Sequence, residues 1–198
     1  RSVGAGDLHT GLPSFPGRLP SNRDQPRLVG EDLERGRVRL YSGTRLHQIP
    51  GLLRPLGLAM ENLGDIDRQS ISGATSTGTH GTGAPFGGIS TQIVAATLVT
   101  ADGELLTVDE TQNAEMLPAV ALGLGSLGII VDVTIQCVPA FVLHAVERPE
   151  PLEQLLAELP ERVAGADHFE FYWFPHTDVA LTKTDTRLPI ATPLKPLP

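Results

Sequence analysis

The sequence predicts an α+β fold, because helical and strand-like patterns both recur along one chain of 198 residues. Apolar residues fall at helical spacing in the segments 46–56, 111–124 and 151–163. Strand-like runs separate these segments, and two of the runs are joined as a hairpin. A chain of this length can bury one good core and the beginning of a second.

One strand and one helix are predicted in the first third of the chain. Residues 37–41 alternate as a short strand, and Thr44 is a candidate N-cap for a helix over 46–56. Pro50 lacks a backbone donor and is expected to kink or delay that helix. The stretch 9–30 holds four prolines and no sustained period, which predicts an irregular loop.

A hairpin and a helix are predicted in the middle of the chain. The runs 93–100 and 104–108 are linked through Asp102-Gly103, a dipeptide typical of tight hairpins. A helix is predicted to begin at Thr111 and to end at Gly125.

An alternating strand is predicted over residues 129–136. Ile130 is the only apolar residue on the polar side of this strand. Cys137, the single cysteine, ends the run, and we expect it to be a buried, inert thiol.

The last part of the sequence predicts a helix and an aromatic strand. The strand, residues 169–174, contains five of the nine aromatic residues and is interpreted as the opening of a second domain. Such a strand is more typical of sheet core than of a substrate cage. The helix begins near Pro151, which the first helical position tolerates. Its apolar face is expected to contain Leu152, Leu155, Leu156, Leu159 and Val163.

A glycine-rich segment, residues 70–85, is the least core-like part of the chain. Between Ser72 and Gly88 six residues are glycine and four are threonine. Glycine amides can approach a ligand closely and hydroxyls add donors, so a phosphate or a polarised heterocycle is the expected ligand. The alternative is a surface turn, but a hairpin needs only roughly two to five linking residues. Neither G-x-G-x-x-G nor the P-loop pattern occurs there.

Charge and composition argue against several functional classes. The net charge is −8 and the basic residues are scattered, which argues against a nucleic-acid partner. No two of the six histidines lie at ligand spacing on a recognisable helix, so no metal site is predicted and a metal-dependent hydrolase is only an alternative. Neither a transmembrane segment nor a secretory leader is visible in the sequence.

Three runs carry a family resemblance: Asn62-Leu-Gly-Asp-Ile-Asp67, the segment from Ser70 to Gly83, and Ile93-Val-Ala-Ala-Thr-Leu-Val-Thr-Ala-Asp-Gly103. Together they resemble the PCMH-type FAD-binding domain of the vanillyl-alcohol-oxidase group of flavoproteins. Within that group the chain is most similar to the aldonolactone and alditol oxidases, such as gulonolactone and D-arabinono-1,4-lactone oxidases.

The resemblance implies a two-part domain organisation. It covers about residues 38–187, with a short echo at 1–6. A two-subdomain FAD-binding domain, lacking its N-terminal elements, would occupy residues 1–142. Residues 143–198 would form the start of a truncated cap domain, which binds substrate in the family.

The resemblance also implies which residues bind FAD. Gly4 and Gly6 would contact the pyrophosphate, Ile130 would pack against the flavin, and His80 would support the loop or donate toward the cofactor. The remaining expected contacts, to the flavin, ribityl and phosphate groups, are Ser70, Gly73, Ala74, Thr75, Ser76, Gly78, Thr79, Gly81, Thr82 and Gly83.

Asp7 departs from the family pattern. The family often has a histidine there that bonds covalently to the isoalloxazine ring, so we expect noncovalent FAD in this chain. No residue matches a catalytic base; the family places those residues beyond residue 198, and the catalytic residues are unknown.

The resemblance implies an FAD-dependent oxidoreductase that acts on the CH–OH group of a sugar-derived lactone or alditol. Hydride would pass to flavin N5, and oxygen or another electron acceptor would reoxidise the flavin. A cytoplasmic location is expected, with membrane association left open. The alternative is a noncatalytic fragment of such an enzyme with at most weak FAD binding.

Overall fold

The computed structural model describes residues 28–194, which form two compact units. The first unit contains the described residues 28–81 and 87–139, and the second contains 82–86 and 140–194. Helices and antiparallel sheets occur together, so the predicted α+β class is confirmed. The expected glycine turn at residues 1–6 and most of the expected irregular stretch 9–30 lie outside the described residues.

The first unit is built on a six-stranded antiparallel sheet. The strands are β1 Leu28–Asp32, β2 Arg37–Tyr41, β3 Leu58–Met60, β4 Ile93–Val99, β5 Leu105–Val108 and β6 Ile129–Pro139. The main strand order is β1-β2-β6-β4-β5, and β3 pairs with the C-terminal end of β6. Because β6 contacts β2, β3 and β4, it forms the centre of the sheet.

Short helices cover one side of this sheet. They are α1 Ile49–Leu53, α2 Ile71–Ser76 and α3 Leu117–Ala121, and each contributes buried residues to one core. Burying an aliphatic side chain of this kind contributes about 1.5–3 kcal/mol. The core includes Val38, Leu40, Leu46, Ile49, Leu53, Ile71, Ile89, Leu98, Val133 and Ile135.

The strand predictions in this unit are largely confirmed. The strand β2 has the predicted bounds, and β4 and β5 form the predicted antiparallel hairpin. Pro50 lies in the first turn of α1 after a 3-10 turn over 46–48, so the proline delays the helix as expected. Cys137 is buried, as predicted.

The prediction that Ile130 lies on the polar side of β6 is wrong, because a bulge changes the alternation. Thr97 pairs with Asp132, but the next residue, Leu98, pairs with Ile130, so one residue of β6 is skipped. Ile130 therefore packs against the core beside Leu98. The sequence carries no glycine or proline at this point to signal the bulge.

The helix predicted to begin at Thr111 begins later. The Asp109 carboxylate accepts hydrogen bonds from the amides of Thr111 and Gln112, which holds these residues in a turn. Asn113 then takes a left-handed conformation with φ of 52°. A 3-10 turn follows over 114–116, and α3 ends at Ala121, before the predicted end at Gly125.

The second unit is a three-stranded antiparallel sheet with two short helices. Its strand order is β7-β9-β8, where β7 is Phe141–Pro151, β8 is His168–Trp173 and β9 is Val179–Pro189. The predicted aromatic strand is confirmed as β8. The helices are α4 Leu152–Ala157 and α5 Leu159–Ala164.

The prediction of a single helix over 151–163 is wrong. Pro160 has no amide to bond the carbonyl of Leu156, and its ring crowds that carbonyl, so the helix breaks at Glu158. Leu156 is exposed and does not share the buried face of Leu155.

A buried carboxylate joins α5 to the sheet of the second unit. Glu150 is only 8% exposed and accepts hydrogen bonds from Arg162, at 2.7 Å, from Thr182, at 3.1 Å, and from Arg148. Burial alone would raise the pKa of Glu150, but these hydrogen bonds outweigh it and lower the pKa below its usual value. The ionised carboxylate is thus part of the folded unit.

Candidate cofactor site

The glycine-rich segment lies in both compact units. Residues 70–81 belong to the first unit and residues 82–86 to the second. Within the first unit the segment forms the helix α2 and then a turn over residues 77–81. The sequence analysis predicted no helix over residues 71–76.

Hydroxyl groups hold α2 together from within. The Ser70 side chain accepts a hydrogen bond from the Gly73 amide and caps the helix N-terminus. The Thr75 hydroxyl donates to the carbonyl of Ile71 at 3.0 Å, and the Thr77 hydroxyl donates to that of Gly73 at 2.8 Å. The Ser70 cap thus stabilises the start of the helix, and the two threonine hydroxyls find acceptors on its backbone carbonyls.

Several predicted contact residues on α2 face the protein interior. Ala74 and Thr75 are 0% exposed, and both pack with the buried Ile71. Gly73 and Ser76 are half-buried. The Ser76 carbonyl accepts a hydrogen bond from the Leu124 amide.

The turn after α2 presents backbone groups at the surface. Gly78 has φ of 71°, which favours glycine, and the Thr79 hydroxyl donates to Gln69 at 3.0 Å. The exposed His80 ring places Nδ1 3.0 Å from the carbonyl oxygen of Gly81. Within residues 28–194, the amides of His80 and Gly81 donate no hydrogen bond to the protein. Two adjacent amide donors are therefore available there to an acceptor.

Glycines allow two backbone runs to pack directly against each other. A Cβ on Gly81 would overlap the carbonyl oxygen of Leu63 and lie 2.8 Å from Asn62 Oδ1. A Cβ on Gly64 would lie 3.0 Å from the His80 carbonyl oxygen. The missing side chains serve this internal contact, which fixes the position of the turn.

Two buried amide side chains support the same contact, and the sequence analysis did not single them out. Asn62 accepts a hydrogen bond from the Leu63 amide at 3.0 Å. Gln92 donates to the Asn62 carbonyl at 2.8 Å and accepts from the Glu61 amide at 3.1 Å. Asn62 and Gln92 are 5% and 3% exposed. Buried amides need such partners, so their role is to hold the run before the glycine-rich segment.

In the second unit the end of the segment packs on β8. Gly83 has φ of 102°, and a Cβ there would lie 2.6 Å from the Asp167 carbonyl oxygen. His168 Nδ1 lies 2.9 Å from the Thr82 carbonyl oxygen. Gly83 is therefore required by a left-handed turn and by a close approach to the chain at Asp167.

The other expected contacts fall elsewhere. Gly4, Gly6 and Asp7 lie outside the described residues. Ile130 packs against the core of the first unit, so its predicted contact with the flavin stays a prediction.

A concavity of about 330 Å³ also lies on the sheet of the first unit. The two arginines that line it are already paired: Arg39 forms a two-point hydrogen bond with Asp132 at 2.8 Å, and Arg37 bonds Glu110 at 3.0 Å. Hydrogen bonds from Arg37 and Arg35 lower the pKa of Glu110. We interpret these pairs as structural, because both arginines already have a carboxylate partner.

Residues 28–194 contain no group of three histidine, cysteine or acidic side chains placed to hold a metal ion. In the same range, none of the helices has the length and apolar character needed to cross a membrane.

The glycine-rich segment lies within a range that matches a known protein family. Residues 4–109 match the family model described as FAD binding domain, which covers more than half of the chain. The chain belongs to the FAD-binding domain family. A second model, described as D-arabinono-1,4-lactone oxidase, matches residues 133–197.

Curated relatives carry related names. The chain is 41% identical to the L-gulono-1,4-lactone dehydrogenase of Mycobacterium tuberculosis (strain CDC 1551 / Oshkosh), covering 93% of this chain and 42% of that protein. It is 42% identical to the L-gulonolactone oxidase of Scyliorhinus torazame, covering 77% of this chain and 34% of that protein. With the D-arabinono-1,4-lactone oxidase of Yarrowia lipolytica it shares 38% identity over 79% of this chain and 30% of that protein. The chain therefore spans less than half the length of these relatives.

Solved structures agree on the fold. A cholesterol oxidase from Brevibacterium sterolicum matches with a TM-score of 0.73 at 22% identity, covering 83% of this chain and 34% of that chain. A solvent-stable cholesterol oxidase matches with a TM-score of 0.69 at 22% identity, covering 81% of this chain and 33% of that chain. At this identity the likeness shows a shared fold.

Proposed function

We propose that this chain is the FAD-binding part, with the start of the substrate domain, of an oxidoreductase that oxidises the CH–OH group of a sugar-derived lactone. The observation that carries the proposal is the succession of two family models along one chain. The FAD-binding model covers residues 4–109, and the D-arabinono-1,4-lactone oxidase model follows over 133–197. The relatives named above carry lactone dehydrogenase or lactone oxidase names.

The residues of the turn after α2 are compatible with FAD. The adjacent His80 and Gly81 amides are donors without a protein acceptor in the described range, and FAD presents many oxygen acceptors. We assign Ser70, Gly78 and Thr79 to shaping this turn. The predicted contacts through Thr82 and Gly83, and through Gly4 and Gly6 to the pyrophosphate, remain part of the proposal.

Bound FAD would supply the hydride acceptor, and the chain would supply position and polarity. The Leu63–Gly81 contact and the buried Asn62 and Gln92 amides keep the donors of the turn in one place. Preorganised donors need no rearrangement when charge develops on a ligand, so a rigid turn favours the reaction. We assign no catalytic base among the described residues.

Three finer points belong to the same proposal. FAD binds noncovalently, because Asp7 stands where the resembling family often has the linking histidine. Oxygen or another acceptor takes the electrons from the reduced flavin. The protein acts in the cytoplasm, where a single buried cysteine without a disulfide partner in the chain is an ordinary feature.

The test is an anaerobic titration of the purified chain with FAD and then with L-gulono-1,4-lactone or D-arabinono-1,4-lactone. The proposal predicts that the visible flavin absorbance is lost on adding a lactone. Xylitol, a polyol, is the second substrate to compare. Flavin that no substrate reduces would contradict lactone oxidation by this chain and favour the alternative, a noncatalytic fragment of such an enzyme with at most weak FAD binding.

A further inference from the structure

His168 is a buried histidine of the second unit whose ring bonds the protein backbone. The residue is 8% exposed, and its Nδ1 atom lies 2.9 Å from the carbonyl oxygen of Thr82. A carbonyl oxygen can only accept a hydrogen bond, so this contact requires the ring proton on Nδ1. Both residues belong to the second unit, which contains residues 82–86 as well as 140–194. The geometry therefore selects the tautomer of His168 that donates to Thr82.

The bond to Thr82 also orients the amide of Gly83. The Thr82 carbonyl and the Gly83 N–H group belong to one planar trans peptide unit, so the two groups point in opposite directions. No φ or ψ rotation separates them. A hydrogen bond that holds the carbonyl therefore directs the Gly83 amide away from the His168 ring.

Close packing restricts the same peptide. Gly83 has φ of 102°, and a Cβ there would lie 2.6 Å from the Asp167 carbonyl oxygen and 3.0 Å from His168 Nδ1. The Phe86 amide donates to the Gly83 carbonyl at 3.1 Å and closes a turn. The Phe86 ring stacks on the His168 ring, with centroids 4.9 Å apart and planes at 28°. These contacts leave the Thr82–Gly83 peptide little room to rotate.

The Gly83 amide is available to a ligand. Within residues 28–194 it donates no hydrogen bond to the protein. Gly83 is also one of the FAD contacts expected from the sequence. A backbone amide that is held in one direction suits an oxygen acceptor, and FAD presents many such oxygens.

We propose that His168 is a positioning residue for FAD binding: its Nδ1–H group holds the Thr82–Gly83 peptide and thereby directs the Gly83 amide to an oxygen of the cofactor. This inference rests on the proposed function. It gives a role to a residue of β8 that does not itself belong to the predicted contact set. The donor on the ring carries this role, and the stacking on Phe86 supports it.

The experiment compares His168→Phe, His168→Asn and His144→Phe with the wild-type chain. Phenylalanine keeps a ring against Phe86 but has no donor, whereas the asparagine amide keeps a donor near the position of Nδ1 and loses the ring. His144→Phe is the matched control, because His144 is exposed on β7 of the same sheet. For each protein the dissociation constant for FAD is measured below the midpoint of thermal unfolding.

His168→Phe is expected to weaken FAD binding about tenfold, the order expected for one lost hydrogen bond, and His168→Asn to stay within about threefold of wild type. His144→Phe should stay within about twofold of wild type. A packing role ranks the two His168 variants the other way, because only phenylalanine keeps the stacked ring. If His168→Asn binds FAD no more tightly than His168→Phe, His168 is merely structural and the inference is overturned.

A measurement without FAD separates this inference from the proposed function. Long-range proton–nitrogen NMR of the wild-type chain at alkaline pH, where imidazole is neutral, shows which ring nitrogen carries the proton. The inference predicts Nδ1 for His168, and a proton on Nε2 would overturn it whether or not FAD binds. A wild-type chain that binds no FAD while the proton lies on Nδ1 would instead overturn the proposed function.

Discussion

The carbonyl oxygen of Leu63 fills the space that a side chain on Gly81 would need. The two backbones meet without an intervening side chain, and the same pair of runs meets again where Gly64 approaches His80. The glycine-rich segment is therefore shaped by internal packing before any ligand binds. This relationship links the fold of the first unit directly to the available amide donors.

Gly81→Ala is the mutation that tests this contact. The added methyl group must push the two runs apart, so we expect a loss of about 1–3 kcal/mol in the free energy of unfolding, together with weaker FAD binding. Gly51→Ala in α1 is the control, because a Cβ there meets no atom within 4 Å. Chemical denaturation checks both, and a Gly81→Ala protein as stable as wild type would contradict the packing.

The ion-pair cluster around Glu150 predicts a pH-dependent stability. Glu150→Gln is expected to lower the free energy of unfolding by about 1–3 kcal/mol at pH 7, because the hydrogen bonds to an ionised carboxylate are lost. Arg162 keeps its separate ion pair with Glu158 in this variant. The folded pKa of Glu150 lies below its usual value of 4.5, so this stabilisation is present above pH 4.5 and is lost as the pH falls through the folded pKa.

Denaturant unfolding at a series of pH values from neutral to acidic checks this. The stability gap between wild type and Glu150→Gln should narrow at acidic pH. Glu161→Gln is the control, since Glu161 is exposed on the same helix α5 and should change stability by less than about 0.5 kcal/mol. A gap independent of pH would show that the charge of Glu150 contributes nothing.

Cys137 is expected to resist thiol reagents in the folded protein. Burial raises the pKa of its thiol to about 11, and the side chain is 6% exposed, so both the thiolate and access to it are scarce. In the native protein, a thiol reagent such as DTNB at pH 8 should label fewer than roughly a tenth of the chains within several minutes. In denaturant it should label all of them. Rapid labelling of the native chain would show that β6 opens locally at this point.

The sequence predicted elements where apolar periodicity was strong. The strand β2 and the β4–β5 hairpin were found in place because their alternation was regular. The strands β7 and β9 were not predicted, because β7 is largely exposed and carries two prolines near its end, and β9 is rich in threonine. As an edge strand β7 tolerates proline, and neither β7 nor the central strand β9 shows a regular apolar alternation, so periodicity gives little signal.

The candidate site was only partly predictable. Glycine content and the family resemblance identified residues 70–83, but they did not show that residues 71–76 form a helix closed by threonine hydroxyls. Neither did they show that Gly81 is required by Leu63 or that Asn62 and Gln92 support the run. Such contacts join residues far apart in sequence, and single-sequence patterns do not report them.

The most direct test of the account is the absorption spectrum of the purified chain after mixing with FAD and gel filtration, taken before and after acid precipitation. The account predicts flavin absorbance eluting with the wild-type protein, release of that flavin into the acid supernatant, and weaker retention by Gly81→Ala than by Gly51→Ala. A folded wild-type chain that elutes colourless would contradict the central claim that this segment binds FAD.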